Sequence, residues 1–371
     1  MKVLLLTTHL NIGGISTCVV NLARKLKQNG VEVLVGTSGG ALMNRLEREN
    51  IPWYQIPVKT KHQMHPKILF SVLKLLEIIQ TEKIDLIHAH TRVTQVVAAI
   101  LRRLTRVPYV TTCHGIFKRR LSRRLFPCWG ARVTAISEPV RESLVNDFEV
   151  AKNQAVLMPN AIDFHEFDRA LSQLDYASLR QLYNLNGSGF VVGSIARFEK
   201  VKGQRYIIEA IPHVLRKHPQ TKFLFVGDGK NKSSLMRLVE KMKLKEHVIF
   251  WEATETVALP LGLIDIFVHV PAFEGFGLSI LEAMSASRPV IASNVGGIYM
   301  LVKDEENGFL VPPHDPIAIA ERINELIENP EKCKAMGARG REFAQFNFSV
   351  DHLAQNMIEM YREVIRLTKK K

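Results

Sequence analysis

Apolar residues in this chain fall in short uninterrupted runs, separated by longer stretches in which they recur every three or four positions. The first run, 3–6, is Val-Leu-Leu-Leu, and the glycine-bearing loop Asn11-Ile-Gly-Gly-Ile15 follows it. Val19, Leu22, Ala23 and Leu26 then share one helical face, and Gly30 supplies a stop, so the spacing predicts a helix over 16–29. A second apolar run occupies 31–35. Strand, helix, strand in that order is a βαβ unit, which requires a parallel sheet. Further runs at 84–87, 109–112, 132–136 and 155–158 continue the plan up to a turn-rich segment, Pro159-Asn-Ala-Ile-Asp163. The pattern restarts at 190. Runs at 190–196, 222–226, 247–250, 265–270, 289–292 and 308–311 alternate with helical stretches, one of which opens near Gly203. The closing stretch, 350–367, is an amphipathic helix with Leu353, Met357, Met360 and Val364 on one face.

Two such series predict two doubly wound, Rossmann-like α/β domains, 1–165 and 166–349. At 371 residues the chain is too long for one ordinary core. Tandem sheets of this class are expected to face a central cleft. In open α/β sheets ligands bind at the carboxyl ends of strands, so the loops that follow strands are where chemistry is to be sought. A hinge is expected near 159–163.

Composition narrows the function. Hydrophobic residues make up 46% and charged ones 23%, as in ordinary folded proteins. The four cysteines are dispersed with no Cys-x-x-Cys pair, which argues against a disulfide framework or a thiolate metal site. The first apolar run is too short for a secretory signal, and no stretch approaches the ~20 apolar residues of a membrane span. The expectation is a cytoplasmic protein. The net charge is +14, and 86–137 contains no Asp or Glu, so the surface seeks anions.

The strongest chemical signal is Phe273-Glu-Gly-Phe-Gly-Leu-Ser-Ile-Leu-Glu282, which follows an apolar run and opens a helix. Gly275 and Gly277 allow close backbone approach, and the free amides of a helix start favour a diphosphate. Glu274 and Glu282 cannot hold a diphosphate without a metal, but they can accept hydrogen bonds from sugar hydroxyls. A phosphate cradle flanked by two carboxylates suggests a nucleotide sugar. Ser279-x-x-Glu282 also spells a capping box, in which Glu282 would only cap its helix. Arg197 and Lys202 follow the 190–196 run. They can neutralise a diphosphate leaving group, or they can be two solvated loop cations.

In order, Arg197-x4-Lys202-Gly203, Val226-Gly-Asp-Gly229, Glu274-x7-Glu282, Pro289-Val290, Gly296-Gly297 and Asn307-Gly-Phe-Leu-Val311 resemble the retaining glycosyltransferases of family four, which have the GT-B fold. The resemblance also takes in Gly13-Gly14, His88-Ala-His90, Thr112-Cys-His-Gly115, Ala135-Ile-Ser-Glu138 and Pro159-Asn-Ala-Ile-Asp163, so it spans essentially the whole chain. Within the family it is similar to bacterial lipopolysaccharide-core and glycolipid enzymes. The resemblance implies that the first domain binds the acceptor, that the last helix packs back on it, and that the second domain binds the donor. It implies that Glu274 holds donor-sugar hydroxyls, Glu282 the ribose, and Arg197 and Lys202 the diphosphate. The backbone at Gly227, Phe276, Gly277 and Leu278 would assist. Gly13 and Gly14 would approach the phosphates or the acceptor, and His114 would lie near the reacting carbon. By its residues alone, His114 is equally a polar residue ending a strand. The implied reaction is front-face transfer with retention, from a UDP-sugar in preference to a GDP-sugar, with no metal and no cofactor. Four positions depart from the family pattern: Ser287 and His314 replace frequent glycines, and Tyr299-Met300 replaces a Pro-Glu pair.

Phe117-Lys-Arg-Arg-Leu-Ser-Arg-Arg-Leu-Phe126 spaces Phe117, Leu121 and Leu125 as one helical stripe flanked by Lys118, Arg119, Arg120, Arg123 and Arg124. That pattern suits an anionic membrane surface and a lipid-linked or phosphorylated acceptor. The enzyme is accordingly expected to lie peripherally on the cytoplasmic membrane face, as a monomer or homodimer. The alternative is a solvated helix packed on the core. Nucleic acid is not expected, because the segment lacks interleaved base-stacking aromatics. An epimerase-like enzyme of the same fold and a catalytically silent homologue are the remaining alternatives.

Overall fold

The computed structural model describes residues 1–60, 65–119, 121–183, 185, 187 and 189–369. They form two compact units. One is Met1–Ala161 together with the last helix, Val350–Lys369, and the other is Ile162–Ser349.

The first unit is built on a seven-stranded parallel sheet: β1 (Lys2–Leu6), β2 (Glu32–Thr37), β3 (Trp53–Gln55), β4 (Leu86–Ala89), β5 (Tyr109–Cys113), β6 (Val133–Ala135) and β7 (Ala155–Leu157), in the order β3-β2-β1-β4-β5-β6-β7. The second has six parallel strands: β8 (Val191–Ile195), β9 (Lys222–Val226), β10 (Val248–Trp251), β11 (Ile266–His269), β12 (Val290–Ser293) and β13 (Gly308–Val311), in the order β10-β9-β8-β11-β12-β13. Both are doubly wound. The strand order reverses between β1 and β4 in one sheet and between β8 and β11 in the other, and such switch points are where open α/β sheets bind ligands.

Central parallel strands are covered on both faces, which is why they read as unbroken apolar runs. Val3, Leu4 and Leu5, and likewise Val191, Phe267 and Val290, are fully buried. The edge strand β3 is short and partly exposed, and no apolar run announces it. The first helix spans Gly14–Gln28, beginning two residues before the position the periodicity indicates.

The last helix belongs to the first unit's core. Met357, Ile358, Met360, Tyr361 and Val364 pack in one cluster with Val3, Leu5, Val19, Leu22 and Val33. Ion pairs from Lys25 to Asp351 (2.9 Å) and from Arg132 to Glu363 (2.6 Å) fix its ends. Ile162 pairs with Ser349, so the two passages of chain that bound the second unit run side by side. No helix among the described residues is long and apolar enough to cross a membrane.

Candidate active site

The second unit's switch point gathers the loops that leave β8, β9, β11 and β12. Two glycines show how closely these loops pack. Gly203, at φ +76°, follows Lys202, and a β-carbon there would stand 1.8 Å from the carbonyl oxygen of Val270 at the end of β11. Gly296, at φ +53°, would place a β-carbon 1.9 Å from the carbonyl oxygen of Glu274. The backbone bonds Ala272 N–H to Val201 O (2.8 Å) and Gly297 N–H to Glu274 O (3.1 Å) complete the stitching. Gly227 meets the Ala196 carbonyl in the same way, beside Arg197. The motif glycines therefore hold loop against loop, in a conformation and at a distance that any side chain would disturb.

This packing brings three titratable groups together. The Lys202 ammonium lies 2.7 Å from Glu274 Oε2, His269 Nε2 lies 2.9 Å from the same oxygen, and the Gly275 amide donates to Oε1 at 3.1 Å. His269, the last residue of β11, is fully buried. Burial lowers its pKa and the Glu274 carboxylate pulls it back up, with the net shift downward. The imidazole is thus neutral at pH 7, and its Nε2–H donates to Glu274. Burial alone would raise the Glu274 carboxyl, but the His269 bond and the Lys202 charge outweigh it and hold the group down at about 2. Glu274 is therefore an ionised, oriented acceptor.

The helix Leu278–Ser285 starts immediately beyond. Its N-cap is Gly277 at φ +101°, and no side chain caps it. Ser279 lies inside the helix, so the Ser279-x-x-Glu282 pattern is not a capping box, and Glu282 projects from the first turns without that duty. The Phe276 ring is buried against Phe348, 5.5 Å away, so only its backbone is available to a ligand. Arg197 is exposed and reaches Glu199 at 3.5 Å; it is not part of the Lys202–Glu274 cluster. The two departures from glycine carry a backbone cost: Ser287 has φ +55° and His314 φ +66°.

At the first unit's switch point, Gly13 (φ +154°) caps the helix Gly14–Gln28 at the carboxyl end of β1. Thr8 and Thr91 bridge the loops after β1 and β4 through their hydroxyls at 2.6 Å. Three histidines lie beside them on β4, β5 and their following loops. His90 Nδ1 is 3.2 Å from His114 Nε2, and the rings of His88 and His90 are 4.0 Å apart. His88 bonds the Tyr361 hydroxyl at 2.6 Å and Thr112 Oγ1 at 2.7 Å, and Thr112 continues to Thr134 at 2.8 Å. Burial pushes His88 down to about 3, His90 well below its ordinary value and the half-buried His114 to about 4, so all three are neutral at pH 7. Among the described residues no group of three His, Cys, Asp or Glu is arranged to hold a metal.

The basic segment differs from the expected amphipathic helix. Only Leu121–Leu125 is helical. Arg123 is buried, its guanidinium 3.8 Å from the centre of the Phe117 ring and within 6 Å of Trp129 and Phe148, so it belongs to the core and not to a membrane-facing surface. Phe117 is covered by that cation, which removes it from the stripe. Arg119 pairs with Asp147, and Arg124 pairs with Glu149 at 3.5 Å. The acids lie just beyond the acid-free window and fold back on it. Lys118 is exposed, and Arg120 lies outside the described residues.

The geometry defines a two-unit α/β protein whose second switch point sets a paired ammonium and carboxylate directly before a helix start. Comparison with known proteins carries this further. Residues 12–166 match the family described as Glycosyltransferase Family 4, and residues 175–343 match Glycosyl transferases group 1. N-acetyl-alpha-D-glucosaminyl L-malate synthase of Bacillus anthracis is 26% identical, with 97% of each chain covered. The UDP-Gal:alpha-D-GlcNAc-diphosphoundecaprenol alpha-1,3-galactosyltransferase of Escherichia coli is 27% identical, covering 79% of this chain and 78% of that one. A crystal structure of Anabaena HepE in complex with UDP-glucose superposes with a TM-score of 0.84 at 26% identity, over 98% of this chain and 100% of the other.

This chain belongs to glycosyltransferase family four and has the GT-B fold. It is a glycosyltransferase.

Proposed function

We propose that the chain is a retaining, metal-independent transferase that moves a hexose or N-acetylhexosamine from a UDP-sugar to a lipid-linked or polysaccharide acceptor of the cell envelope. The observation that carries this reading is the Lys202–Glu274–His269 cluster, set at a switch point directly before a helix start. Glu274, ionised and aimed by His269, accepts hydrogen bonds from hydroxyls of the donor sugar. Lys202 turns from Glu274 to the diphosphate, joined by Arg197 and the backbone at Gly227, Phe276, Gly277 and Leu278. Glu282 holds the ribose. From the first unit, His114 and the Gly13-Gly14 loop take part in the transfer step, as the family resemblance implies.

Lys202 and Arg197 supply the positive charge that a departing nucleoside diphosphate requires, so the step needs no metal of its own. The protein contributes positioning and charge stabilisation, and no side chain serves as a covalent nucleophile. The UDP preference draws support from the relatives whose names contain UDP-Gal and UDP-glucose, and the lipid-linked acceptor from the diphosphoundecaprenol in the name of the Escherichia coli enzyme. With Arg123 buried, Lys118, Arg119 and Arg124 are the cations among the described residues of this segment left to meet an anionic membrane surface.

The test is thermal stability with a panel of nucleotides and nucleotide sugars in EDTA. A ligand that binds only the folded state raises the melting temperature. A shift with UDP-sugars that survives EDTA is expected, with anomeric configuration then read by NMR on the product. A shift only with guanosine nucleotides, or only with added divalent metal, overturns the respective part of the proposal.

A further inference from the structure

His90 is the feature that the site as described leaves without a role. It follows β4, is almost fully buried, and its Nδ1 faces His114 Nε2 at 3.2 Å. Its Nε2 is buried and has no hydrogen-bond partner among the described residues. His114, by contrast, is only half-buried. The two rings therefore share one hydrogen bond, and which ring donates fixes the proton on both.

There are two ways to place it. If His114 donates from Nε2, His90 must carry its own proton on Nε2, where a buried N–H points at nothing. An orphaned buried donor loses its hydrogen bond to water and gains none in return. If His90 donates from Nδ1, its Nε2 presents only a bare lone pair, and unpaired buried acceptors are better tolerated than unpaired donors. His114 then accepts at Nε2 and carries its proton on Nδ1. Burial keeps both rings neutral at pH 7, so a doubly protonated ring does not intrude.

We infer that His90 is a positioning residue that fixes His114 in the Nδ1–H form, so that His114 offers an N–H donor to an oxygen of the substrate and cannot act as a base through that nitrogen. The functional half of this inference rests on the reading of His114 as a participant in the transfer step; the tautomer itself does not. A donor at His114 orients or stabilises an oxygen, whether a sugar hydroxyl or a phosphate oxygen. It leaves acceptor deprotonation to another group. The ring nitrogen that the partner does not touch is the one whose state the partner dictates.

The experiment is a long-range proton–nitrogen correlation spectrum of the full-length, histidine-labelled protein at neutral pH, comparing wild type, His90→Asn and His90→Leu. The His114 signals are assigned by their loss in His114→Gln. Asn can place an amide N–H where the imidazole Nδ1–H stands, and Leu cannot. Wild type and His90→Asn are expected to show His114 protonated on Nδ1. His90→Leu is expected to shift it toward the Nε2–H form that free imidazole prefers, with a drop in kcat of about tenfold to a hundredfold and little change in donor KM. His90→Asn should recover most of that kcat. A wild-type spectrum with His114 protonated on Nε2 overturns the inference, as does a His90→Leu spectrum identical to wild type. Should His90→Leu fail to fold, the wild-type and His90→Asn spectra still decide. An absence of turnover with every nucleotide sugar would sink the transferase proposal and leave the tautomer result standing.

Discussion

The Lys202 ammonium and the Glu274 carboxylate stand 2.7 Å apart, although 72 residues separate them in the chain. Each holds the other in place, and the proposed function gives both to one ligand, so their effects on catalysis should not add. Lys202→Met and Glu274→Gln are each expected to reduce kcat/KM by about a hundredfold, and the double variant to be little worse than the poorer single one. Steady-state kinetics on the four proteins of the cycle would measure this. Independent, multiplying losses would show that the pair is incidental.

Glu282 gives a cleaner separation of folding from binding. Because Gly277 caps the helix, Glu282→Ala removes no cap and is expected to leave a folded protein. It should abolish the nucleotide-induced rise in melting temperature. A large loss of stability in the absence of nucleotide would mean that the carboxylate is a structural group after all.

Backbone conformation makes paired, opposite predictions. Gly296→Ala drives a methyl group into the Glu274 carbonyl and should cost well over 1 kcal/mol as well as nucleotide binding. Ser287→Gly relieves a left-handed residue at φ +55° and should gain up to about 1 kcal/mol. Gly189→Ala, where the new methyl meets only Gln220 at 3.9 Å, serves as a near-neutral control. Urea titration of the three variants would show whether the signs hold.

Acid should weaken the first unit early. His88, His90 and His114 are neutral in the fold far below the ordinary imidazole value, near 3 for His88 and near 4 for His114. Between pH 6.5 and those values the unfolded chain binds more protons than the folded one, so stability is complete above pH 6.5 and is lost as pH falls. The slope is about 1.4 kcal/mol per pH unit for each such histidine once the unfolded form is fully protonated. Melting temperature recorded from pH 8 to 5 should fall accordingly, and the fall should be shallower in His88→Asn. An unchanged slope in that variant would remove His88 from the account.

Arg123→Leu tests the reassignment of the basic segment. Loss of the guanidinium from between Phe117, Trp129 and Phe148 should destabilise the protein by about 1–2 kcal/mol. Its effect on co-sedimentation with anionic vesicles should be smaller than that of the charge reversals Lys118→Glu and Arg124→Glu. A selective loss of vesicle binding in Arg123→Leu, with stability intact, would restore Arg123 to the surface.

Strand positions were legible because parallel central strands are apolar on both faces: residues 222–226 and 308–311 match β9 and β13 end to end. β3 escaped notice because an edge strand of three residues, none of them buried, has no such signature. Lys202, Glu274 and Glu282 could be picked out by their places after strands. His269 could not, although a lone polar residue inside the apolar run Phe267-Val-His-Val270 was the available signal. Tyr361 and His88 are joined across 273 positions, and Arg119 and Arg124 find acids outside the window over which charge was counted. Such pairings depend on topology, which local periodicity does not carry.

The last helix has a consequence for biogenesis. The first unit's apolar cluster is closed by Met357, Ile358, Met360, Tyr361 and Val364, whereas the second unit is drawn from one continuous stretch, Ile162–Ser349. A nascent chain thus begins one unit, completes the other, and only then receives the piece that seals the first. Throughout that interval Val3, Leu5, Val19 and Val33 lack part of their cover, so the half made earliest is the one that most needs shelter from chaperones while translation proceeds.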